Sequence, residues 1–592
     1  MTLERPVDAG STPARWGSDA VAALLRALDL PYVCLNPGAS YRGLHDSLVN
    51  FLGNERPQVL LCLHEEHAVA IAHGYAKVTG RPLGALVHSN VGLLHASMAI
   101  FNAWCDRVPV LVLGATGPVD AARRRPWIDW IHTAADQAAL VRPYLKWDNQ
   151  PASIPAALES LLRADLLART APCGPVYVCL DASLQEAPLL EMPALPDVGR
   201  FRPAPPAAPP PAQLAEAARR LREARRPVIL AGRASRDAGA WRARVALAER
   251  VGATVLTDLK APAAFPTAHP LHGAPPGYFL TPPAAARLRE ADVVLSLDWI
   301  DLAGTLRQAW GGAPVSATIV QVSADHHVHH GFAMDHQALP PADLWLPVDP
   351  DAALPALLEA LGPGSAGAEP REAGGRAATP AAAVDGDALD LPALAGALRH
   401  AVAGLEPTLV RVPLGWSGEL WDVAGPLDYL GGDGGGGIGS GPGMAVGAAL
   451  ALQGSGRLPV AVLGDGDFLM GVTALWTAAH YRIPLLVVVA NNRSYFNDEL
   501  HQERVARERG RPVANRWIGQ RIADPEVDLA AMARAQGLVG LGPVASRPEL
   551  PLALARAVAV VREGAPCVVD VHVRPGYGPA MTQAMARGAA PR

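Results

Sequence analysis

Two short polar clusters in the last third of the 592-residue sequence each follow an apolar run typical of a β-strand. The first run, residues 459–463, ends in a Gly-Asp-Gly tripeptide (464–466), and the second, residues 485–490, ends in an Asn-Asn pair (491–492). The residues between them are patterned as an amphipathic helix, so the segment predicts a strand–helix–strand unit with parallel strands. Both clusters should then lie at the carboxyl ends of neighbouring strands, where open α/β sheets bind ligands.

These clusters contain the donor atoms of a magnesium site. Asp465 offers a carboxylate and Asn492 a carboxamide oxygen, which are hard ligands of the kind that Mg²⁺ prefers, and protein-bound Mg²⁺ commonly bridges to phosphate oxygens. Gly464 and Gly466 let the backbone come close enough to donate N–H groups to the same phosphates. A bare Gly-Asp-Gly is also a common turn, but the second strand and the Asn-Asn pair favour the site.

With 24 residues between Gly466 and Asn491, the segment resembles the signature of thiamine diphosphate enzymes, in which Gly-Asp-Gly is followed by Asn-Asn. The resemblance implies thiamine diphosphate and Mg²⁺ as cofactors, with the Mg²⁺ held by Asp465, Asn492 and the carbonyl of Ser494. It also implies an apolar wedge and a carbonyl acceptor for the cofactor in the glycine-rich run 434–443. The cofactor contacts that it assigns are Asn36, Pro37, Gly38, Ser417, Gly436, Ile438, Gly464, Gly466 and Asp467.

Glu65 is the second candidate for chemistry, because it lies where an apolar strand pattern gives way to a helix pattern. A carboxylate there is favoured by the helix dipole, and we expect it to be partly buried. In the resembling family a glutamate stands nine residues before the glycine of Gly-Tyr-Ala, and nine residues before Gly74 is Glu65. The resemblance implies that Glu65 bonds N1′ of the aminopyrimidine and drives loss of the C2 proton, giving a carbanion that attacks a 2-oxo acid. Glu66 is the rival carboxylate, and a plain helix-start charge is the alternative.

Within that family the likeness is to the group of benzoylformate decarboxylases and acetolactate synthases. His88 follows a predicted strand at 83–87 and precedes a predicted helix at 93–104. By this likeness His88 protonates the reaction intermediate or relays a proton to it, as the near-neutral pKa of histidine permits. The substrate pocket that the likeness implies consists of Ser40, Ser89, Asn497, Asp498 and His501.

Three departures from the decarboxylases point to a smaller or more polar substrate than benzoylformate. The serine that follows Asn-Pro-Gly in those enzymes is Ala39 here, with Ser40 one place on. Those enzymes have a second active-site histidine in the central domain, but this sequence has no histidine between residues 273 and 325. The apolar residues over the substrate ring are replaced by polar side chains near Asn497. A decarboxylase is therefore the first hypothesis, an acetolactate synthase-like carboligase that forms acyloins is the second, and a non-catalytic cofactor-binding protein is a remote third.

Repeated βα patterns predict an α/β protein with three doubly wound parallel-sheet domains. The run of proline and alanine at 203–211 can neither continue a helix nor complete a sheet ladder, so it predicts a linker. The resemblance also implies a homodimer or a dimer of dimers, since the glutamate and the Mg²⁺ site that serve one cofactor come from different subunits. The predicted segments are a pyrimidine-binding domain at 1–190, a Pro-rich linker at 191–211, a central domain at 212–362, a flexible linker at 363–387 and a diphosphate- and Mg²⁺-binding domain at 388–592.

The composition disfavours several other classes of protein. The formal net charge of −5 leaves no basic footprint for nucleic acid, and no window of 18 uninterrupted apolar residues predicts a membrane span. The amino terminus has no signal-peptide pattern, and six cysteines are scattered singly, which predicts free thiols in the cytoplasm. Only three of the 51 basic residues are lysines, so a Schiff-base enzyme has few candidates.

Two further motifs have plainer alternatives. The glycine-rich run 434–443 also fits a Gly-x-Gly-x-x-Gly nucleotide pattern, but no clear strand precedes it, so a nicotinamide site is disfavoured. The histidine-rich stretch 326–330 follows a strand and predicts a surface turn rather than a metal site. Acetolactate synthases also bind FAD in the central domain; FAD is possible here, but no distinct signature supports it.

Overall fold

A computed structural model describes residues 4–7, 13–327, 337–363 and 387–577. These residues form three separate parallel β-sheets with helices packed around them, as predicted from the βα patterns. Several strands are buried along their whole length, as expected of parallel strands covered on both faces: Gly84–Val87, Val110–Thr116, Pro175–Asp181, Pro227–Ala231, Val293–Leu297 and Leu486–Asn491. The fold class predicted from the sequence is confirmed.

The first sheet has six strands in the order β2-β1-β3-β4-β6-β5. The chain leaves β1 towards β2 on one side and then crosses to β3 on the other, which makes the gap between β1 and β3 a topological switch point. The strands are β1 Tyr32–Leu35, β2 Gln58–Leu61, β3 Gly84–Val87, β4 Val110–Thr116, β5 Asp148–Asn149 and β6 Pro175–Asp181. The helices are α1 Gly17–Ala27, α2 Arg42–Asp46, α3 Glu65–Thr79, α4 Ser89–Cys105, α5 Ile128–Ile131, α6 Ile154–Arg169 and α7 Ala182–Gln185.

The second sheet has five strands in the order β11-β10-β9-β7-β8. Residues 202–209, within the predicted Pro-rich linker, have no regular secondary structure, and a helix begins at Pro211. The strands are β7 Pro227–Ala231, β8 Thr254–Leu256, β9 Val293–Leu297, β10 Thr318–Val322 and β11 Leu344–Leu346. The helices are α8 Pro211–Glu223, α9 Ala238–Val251, α10 Pro282–Glu290, α11 Leu302–Trp310 and α12 Pro350–Leu361.

The third sheet has five strands in the order β12-β13-β14-β16-β15. The flexible linker predicted at 363–387 lies outside the described residues except at its two ends, and the domain boundaries stay predictions. The strands are β12 Pro407–Arg411, β13 Leu458–Gly464, β14 Leu486–Asn491, β15 Val539–Val544 and β16 Cys567–His572. The helices are α13 Leu391–Ala401, α14 Gly441–Leu452, α15 Asp465–Gly471, α16 Ala474–His480, α17 Phe496–Glu508, α18 Leu529–Ala535 and α19 Glu549–Arg562.

The sequence predicts a single amphipathic helix after the Gly-Asp-Gly tripeptide, and this prediction is wrong. The structure has two short helices there, α15 and α16, separated at Val472 and Thr473. Gly471, Val472 and Thr473 all have low helix propensity, which favours an interruption of the helix at this place. A Cβ on Gly471 would overlap the carbonyl oxygen of Gly439, so the backbone at the break packs directly against the glycine-rich loop.

A second boundary also differs from the sequence prediction. Helix α4 begins at Ser89 rather than at residue 93, with His88 at its N-cap position. Four residues expected in a loop are therefore helical, and His88 is held between the end of β3 and the first turn of α4. This places the His88 ring on rigid elements instead of on a free loop.

Helices α3 and α14 pack at the closest approach that two backbones allow. A Cβ on Gly74 would overlap the carbonyl oxygen of Met444, and a Cβ on Gly447 would overlap that of Ile71. One buried apolar cluster contains residues of both helices together with strands of the first and third sheets. The helix that begins at Glu65 is thereby fixed against the helix that follows the glycine-rich loop.

We expect Gly447→Ala to lower the midpoint of thermal unfolding, because the added methyl group forces the two helices apart. Such overpacking typically costs about 1–3 kcal/mol. Gly396→Ala is the matched control, since no heavy atom lies within 4 Å of its Cβ position in helix α13. There alanine should stabilise the helix by about 0.5–1 kcal/mol. Circular dichroism melts of both variants measure this difference, and equal midpoints would contradict the close packing.

Candidate active site

The two polar clusters predicted to meet do lie together, at the carboxyl ends of β13 and β14. These strands are parallel neighbours, with Gly464 in register with Ala490. Asp465 accepts hydrogen bonds from the N–H of Gly466 and the N–H of Ser494, each at 3.0 Å. The carboxamide oxygen of Asn492 accepts from the same Ser494 N–H at 2.9 Å. The Asp465 carboxylate and the Asn492 carboxamide oxygen therefore form one compact set of oxygen ligands that meets at the Ser494 amide.

The charge at this set is unbalanced in the protein alone. Asp465 is buried, and within the described part of the chain it has no ion pair with a basic side chain. Burial raises the pKa of Asp465 to about 6, although the N–H groups of Gly466 and Ser494 work in the opposite direction. A buried carboxylate beside a carboxamide oxygen suits a hard divalent cation such as Mg²⁺. The residues present thus fit the metal that the sequence implies.

Asp467 has different bonding partners from Asp465. Its carboxylate accepts from the N–H groups of Gly439 at 2.7 Å and Gly441 at 3.2 Å, and it pairs with Arg411 at 2.8 Å. Arg411 also pairs with Asp433, which accepts from the N–H of Gly436 at 2.8 Å. Asp467, predicted as a cofactor contact, is thus engaged in holding the glycine-rich loop. Local sequence patterns carried no signal for Arg411, whose guanidinium pairs with both of these carboxylates.

The glycine-rich loop presents a free backbone and one apolar side chain. Gly436 has a φ of +73°, and no heavy atom lies within 4 Å of its Cβ position. Ile438 is 39% exposed although it is a large aliphatic residue. An apolar side chain left open on a loop anchored by Asp467 suits the wedge role that the sequence comparison implies. Gly464 also has open space at its Cβ position, next to Asp465.

Glu65 is the first residue of α3 and is 5% exposed, as expected. The preceding His64 caps the helix, because its Nδ1 accepts the N–H of Glu66 at 3.1 Å. Glu65 Oε2 lies 3.0 Å from Nδ1 of His95, whose side chain is half exposed. A Cβ on Gly92 would be 3.1 Å from Glu65 Oε1, so glycine leaves room for this carboxylate.

Glu65 and its rival Glu66 point to different partners. Glu66 Oε1 accepts from Ser440 Oγ at 3.1 Å, which ties the start of α3 to the glycine-rich loop, and burial raises the pKa of Glu66. Sequence reasoning missed His95, because its 30-residue separation from Glu65 carries no local signal. Ligand atoms of His64, Glu65 and His95 lie within 4.8 Å of one another, a spacing that could also accept a metal ion.

His88 lies at the switch point of the first sheet, against the turn that follows β1. Its ring packs on Gly38, where a Cβ would overlap it. Ser40 Oγ lies 2.8 Å from His88 Nδ1, and the Ser40 N–H points to the same nitrogen at 3.4 Å. Asn36 is fixed by its bond to the Cys62 carbonyl at 3.0 Å. Burial lowers the pKa of His88, His132 lowers it further, and Glu65 acts in the opposite direction.

The remaining predicted pocket residues are less closely joined to His88. Ser89 is fully buried and donates its hydroxyl to the carbonyl of His132, so that hydroxyl is committed within the protein. Asn497, Asp498 and His501 lie on the first two turns of α17, and Asp498 and His501 are exposed. Within the described ranges, no hydrogen bond or ion pair joins these three to His88.

Two other predicted groups, Ser417 and the histidine-rich stretch, have no hydrogen bond or ion pair with Asp465 within the described residues. Ser417 is half-buried on a loop whose next residue, Gly418, donates its N–H to Pro276 in the central part of the chain at 2.9 Å. His326 and His327 form an exposed turn, as expected, while residues 329 and 330 of the histidine-rich stretch lie outside the described residues.

The central sheet carries an ion-pair cluster at its own switch point. Arg233 follows β7 and pairs with Asp298 at 3.5 Å and Asp325 at 3.8 Å, and Arg107 of the first domain pairs with Asp325 at 2.7 Å. This is the edge at which α/β sheets commonly bind nucleotides. Its charged side chains are paired with one another, so the cluster gives no support to FAD.

Comparison with known proteins gives three family matches along the chain. Residues 15–140 match the thiamine pyrophosphate enzyme N-terminal TPP binding domain. Residues 214–337 match the central domain, and residues 413–571 match the C-terminal TPP binding domain. Together the matched segments cover well over half of the sequence.

Individual relatives are more distant. The chain is 28% identical over 535 residues to benzoylformate decarboxylase of Pseudomonas aeruginosa, covering 86% of this chain and 91% of that protein. It is 30% identical over 289 residues to the acetolactate synthase large subunit of Corynebacterium glutamicum, covering 48% of this chain and 44% of that protein. The solved benzoylformate decarboxylase from Polynucleobacter necessarius aligns with a TM-score of 0.75 at 22% identity, over 96% of this chain and 100% of that chain. The last likeness shows a shared fold.

Proposed function

Since this chain belongs to the thiamine pyrophosphate enzyme family, we propose that it uses thiamine diphosphate and Mg²⁺ to decarboxylate a 2-oxo acid. The observation that carries the proposal is the meeting of the Asp465 carboxylate and the Asn492 carboxamide oxygen at the Ser494 amide, where no basic side chain of the described residues pairs with the buried Asp465. The decarboxylase relative that spans most of the chain supports the choice of reaction.

Each candidate residue has a part in this reaction. Asp465, Asn492 and the Ser494 carbonyl would hold the Mg²⁺, and the open backbone at Gly464 and Gly466 would approach the diphosphate. When bound, the cofactor supplies the electron sink for breaking the bond between the substrate carbonyl carbon and its carboxylate. Glu65 would hold and exchange the proton at the aminopyrimidine nitrogen N1′, with His95 hydrogen-bonded to its other side.

His88 is the proposed proton carrier for the substrate. The Ser40 N–H can only donate, so His88 Nδ1 accepts, and the neutral ring carries its proton on Nε2. The lowered pKa of His88 keeps the ring neutral near pH 7, so Nε2 donates a hydrogen bond to the substrate, and the ring gives up a proton from its imidazolium form. The polar side chains at the start of α17 favour a smaller or more polar substrate than benzoylformate.

We also propose that the enzyme is a homodimer or a dimer of dimers. Large apolar side chains are exposed in the single chain beside the candidate site: Leu63 at 42%, Leu94 at 55% and Met470 at 56%. A second copy of the chain would bury them, as a cofactor site shared between subunits requires.

None of the described helices is long and apolar enough to span a membrane. The six unpaired cysteines support a reducing, cytoplasmic location.

The function is tested by CO₂ release from a panel of 2-oxo acids with purified protein, thiamine diphosphate and Mg²⁺. The panel should contain aromatic, small aliphatic and polar side chains, and the products should be identified. We expect CO₂ with the matching aldehyde from a small or polar substrate. Acetolactate or another acyloin as the main product would instead support the carboligase, which the acetolactate synthase relative keeps as the second candidate. No reaction with any substrate would contradict both.

A further inference from the structure

The last residues of the segment that follows β4, residues 129–133, are held against the first turn of α4. Asp129 is fully buried and pairs with Arg125 at 2.8 Å, which fixes the middle of the segment. The side-chain amide of Asn90 donates to the Ile131 carbonyl at 3.0 Å. The next carbonyl, that of His132, accepts from the buried Ser89 hydroxyl and from the Gly117 N–H at 3.4 Å. The backbone of His132 is therefore anchored to the strand ends that carry His88.

The anchoring places the two imidazole rings in contact. The ring of His132 meets that of His88 edge to face, with centroids 4.8 Å apart and an interplanar angle of 87°. Ser40 occupies Nδ1 of His88 on the turn after β1, so the rest of the His88 ring is left to His132 and the site. The charged and titratable groups that face His88 are His132, Glu65 and Arg125.

Decarboxylation to an aldehyde consumes one proton per turnover. The bond between the carbonyl carbon and the carboxylate breaks, CO₂ leaves, and a proton that comes ultimately from water takes its place on that carbon. A half-buried site needs groups that bring this proton in, and imidazoles suit the task because they gain and lose protons near neutral pH.

We propose that His132 is the second histidine of the site: one of the two rings takes up a proton from water as imidazolium, gives it to the substrate carbon and returns to the neutral form, while the other ring stays neutral beside it. This inference rests on the proposed function. The second active-site histidine expected from decarboxylases has no counterpart in the central domain, and His132 would fill that role from the loop after β4 instead. The site would then use a histidine pair from the segments that follow two adjacent strands of one sheet, β3 and β4.

His132→Asn tests the ring without disturbing the anchor, because the Ser89 and Gly117 bonds use the backbone carbonyl. With the best substrate from the panel, we expect kcat to fall on the order of 100-fold, with a smaller change in KM and an unchanged melting temperature. His400→Asn, on the exposed end of α13, is the matched control and should behave as wild type. An unchanged kcat in His132→Asn would overturn the proposal.

The double variant His88→Asn/His132→Asn separates a pair from two independent residues. If the rings act as one unit, the second substitution adds little to the loss caused by the first. If the kcat losses of the two single variants multiply in the double variant, the two histidines act independently and the proposed pair is wrong. This failure differs from failure of the proposed function, because the latter leaves the wild type inactive on every 2-oxo acid.

A measurement on the cofactor-free protein needs no turnover. Selectively labelled histidines can be titrated by NMR, and removing the His132 imidazole should raise the pKa of His88, since its positive charge no longer opposes protonation of its neighbour. His400→Asn should leave the His88 titration unchanged. An identical His88 titration in wild type and His132→Asn would overturn the contact on which the inference depends.

Discussion

Glu65→Gln is expected to abolish turnover while the protein still binds thiamine diphosphate and Mg²⁺. Glutamine keeps the size of the side chain and a contact with His95 but cannot hold and release a proton. Loss of a general acid–base group typically costs about 10²–10⁴-fold in rate. Steady-state kinetics with the preferred 2-oxo acid gives the rate, and isothermal titration with the cofactor and Mg²⁺ gives the binding.

Glu66→Gln is the matched control for this experiment. It makes the same chemical change one residue away, on a carboxylate that accepts from Ser440. We expect a smaller loss of rate, because a glutamine oxygen can still accept that hydrogen bond. If Glu65→Gln kept its turnover and Glu66→Gln lost it, the assignment of the two carboxylates would be reversed.

Asp465→Asn is expected to remove Mg²⁺-dependent binding of thiamine diphosphate and with it at least a hundredfold of activity. The amide carries no charge to neutralise the metal, although it keeps one acceptor for the Ser494 or Gly466 N–H. Equilibrium dialysis of Mg²⁺ and titration of the cofactor measure the loss. Retained Mg²⁺ affinity would contradict the assignment of Asp465 as a ligand.

The same carboxylate gives the wild-type protein a defined pH dependence. In the cofactor-free fold the pKa of Asp465 is about 6 against an ordinary value of 3.8, so the folded protein holds this proton more tightly than the unfolded chain. The free energy of unfolding therefore falls as pH rises between these values, and the penalty is fully present above about pH 6, at roughly 3 kcal/mol. Because Mg²⁺ needs the ionised form, its affinity should fall as pH drops through 6.

Asp465→Asn should therefore melt no lower than wild type when both lack the cofactor at pH 7.5, since the buried charge is gone. Asp467→Asn is the contrast, because it removes one of the two carboxylates that pair with Arg411 and should lower the melting temperature. Differential scanning fluorimetry measures and compares the melting temperatures of the two variants.

A mixture of Glu65→Gln and Asp465→Asn chains, refolded or exchanged together, should recover part of the activity if sites are shared between subunits.

The local patterns predicted the parts of the site that lie close in sequence. A short crossover between parallel strands leaves few arrangements, so the Gly-Asp-Gly and Asn-Asn clusters had to meet at one sheet edge. The burial of Glu65 followed from its place between a strand pattern and a helix pattern. The break between α15 and α16 was missed because it depends on the approach of the Gly439 carbonyl, a contact that no periodicity reveals.

The sequence by itself determined the fold class, the family and the candidate metal ligands, because each follows from patterns and spacings between residues that are close along the chain. Only the tertiary structure decided which side chains serve those residues: His95 beside Glu65, Arg411 beside Asp467 and His132 beside His88. The members of these pairs are 30, 56 and 44 positions apart in the sequence, respectively. They meet because sheet order and helix packing bring distant strand ends together, and those arrangements are set by burial of the whole core rather than by any local motif.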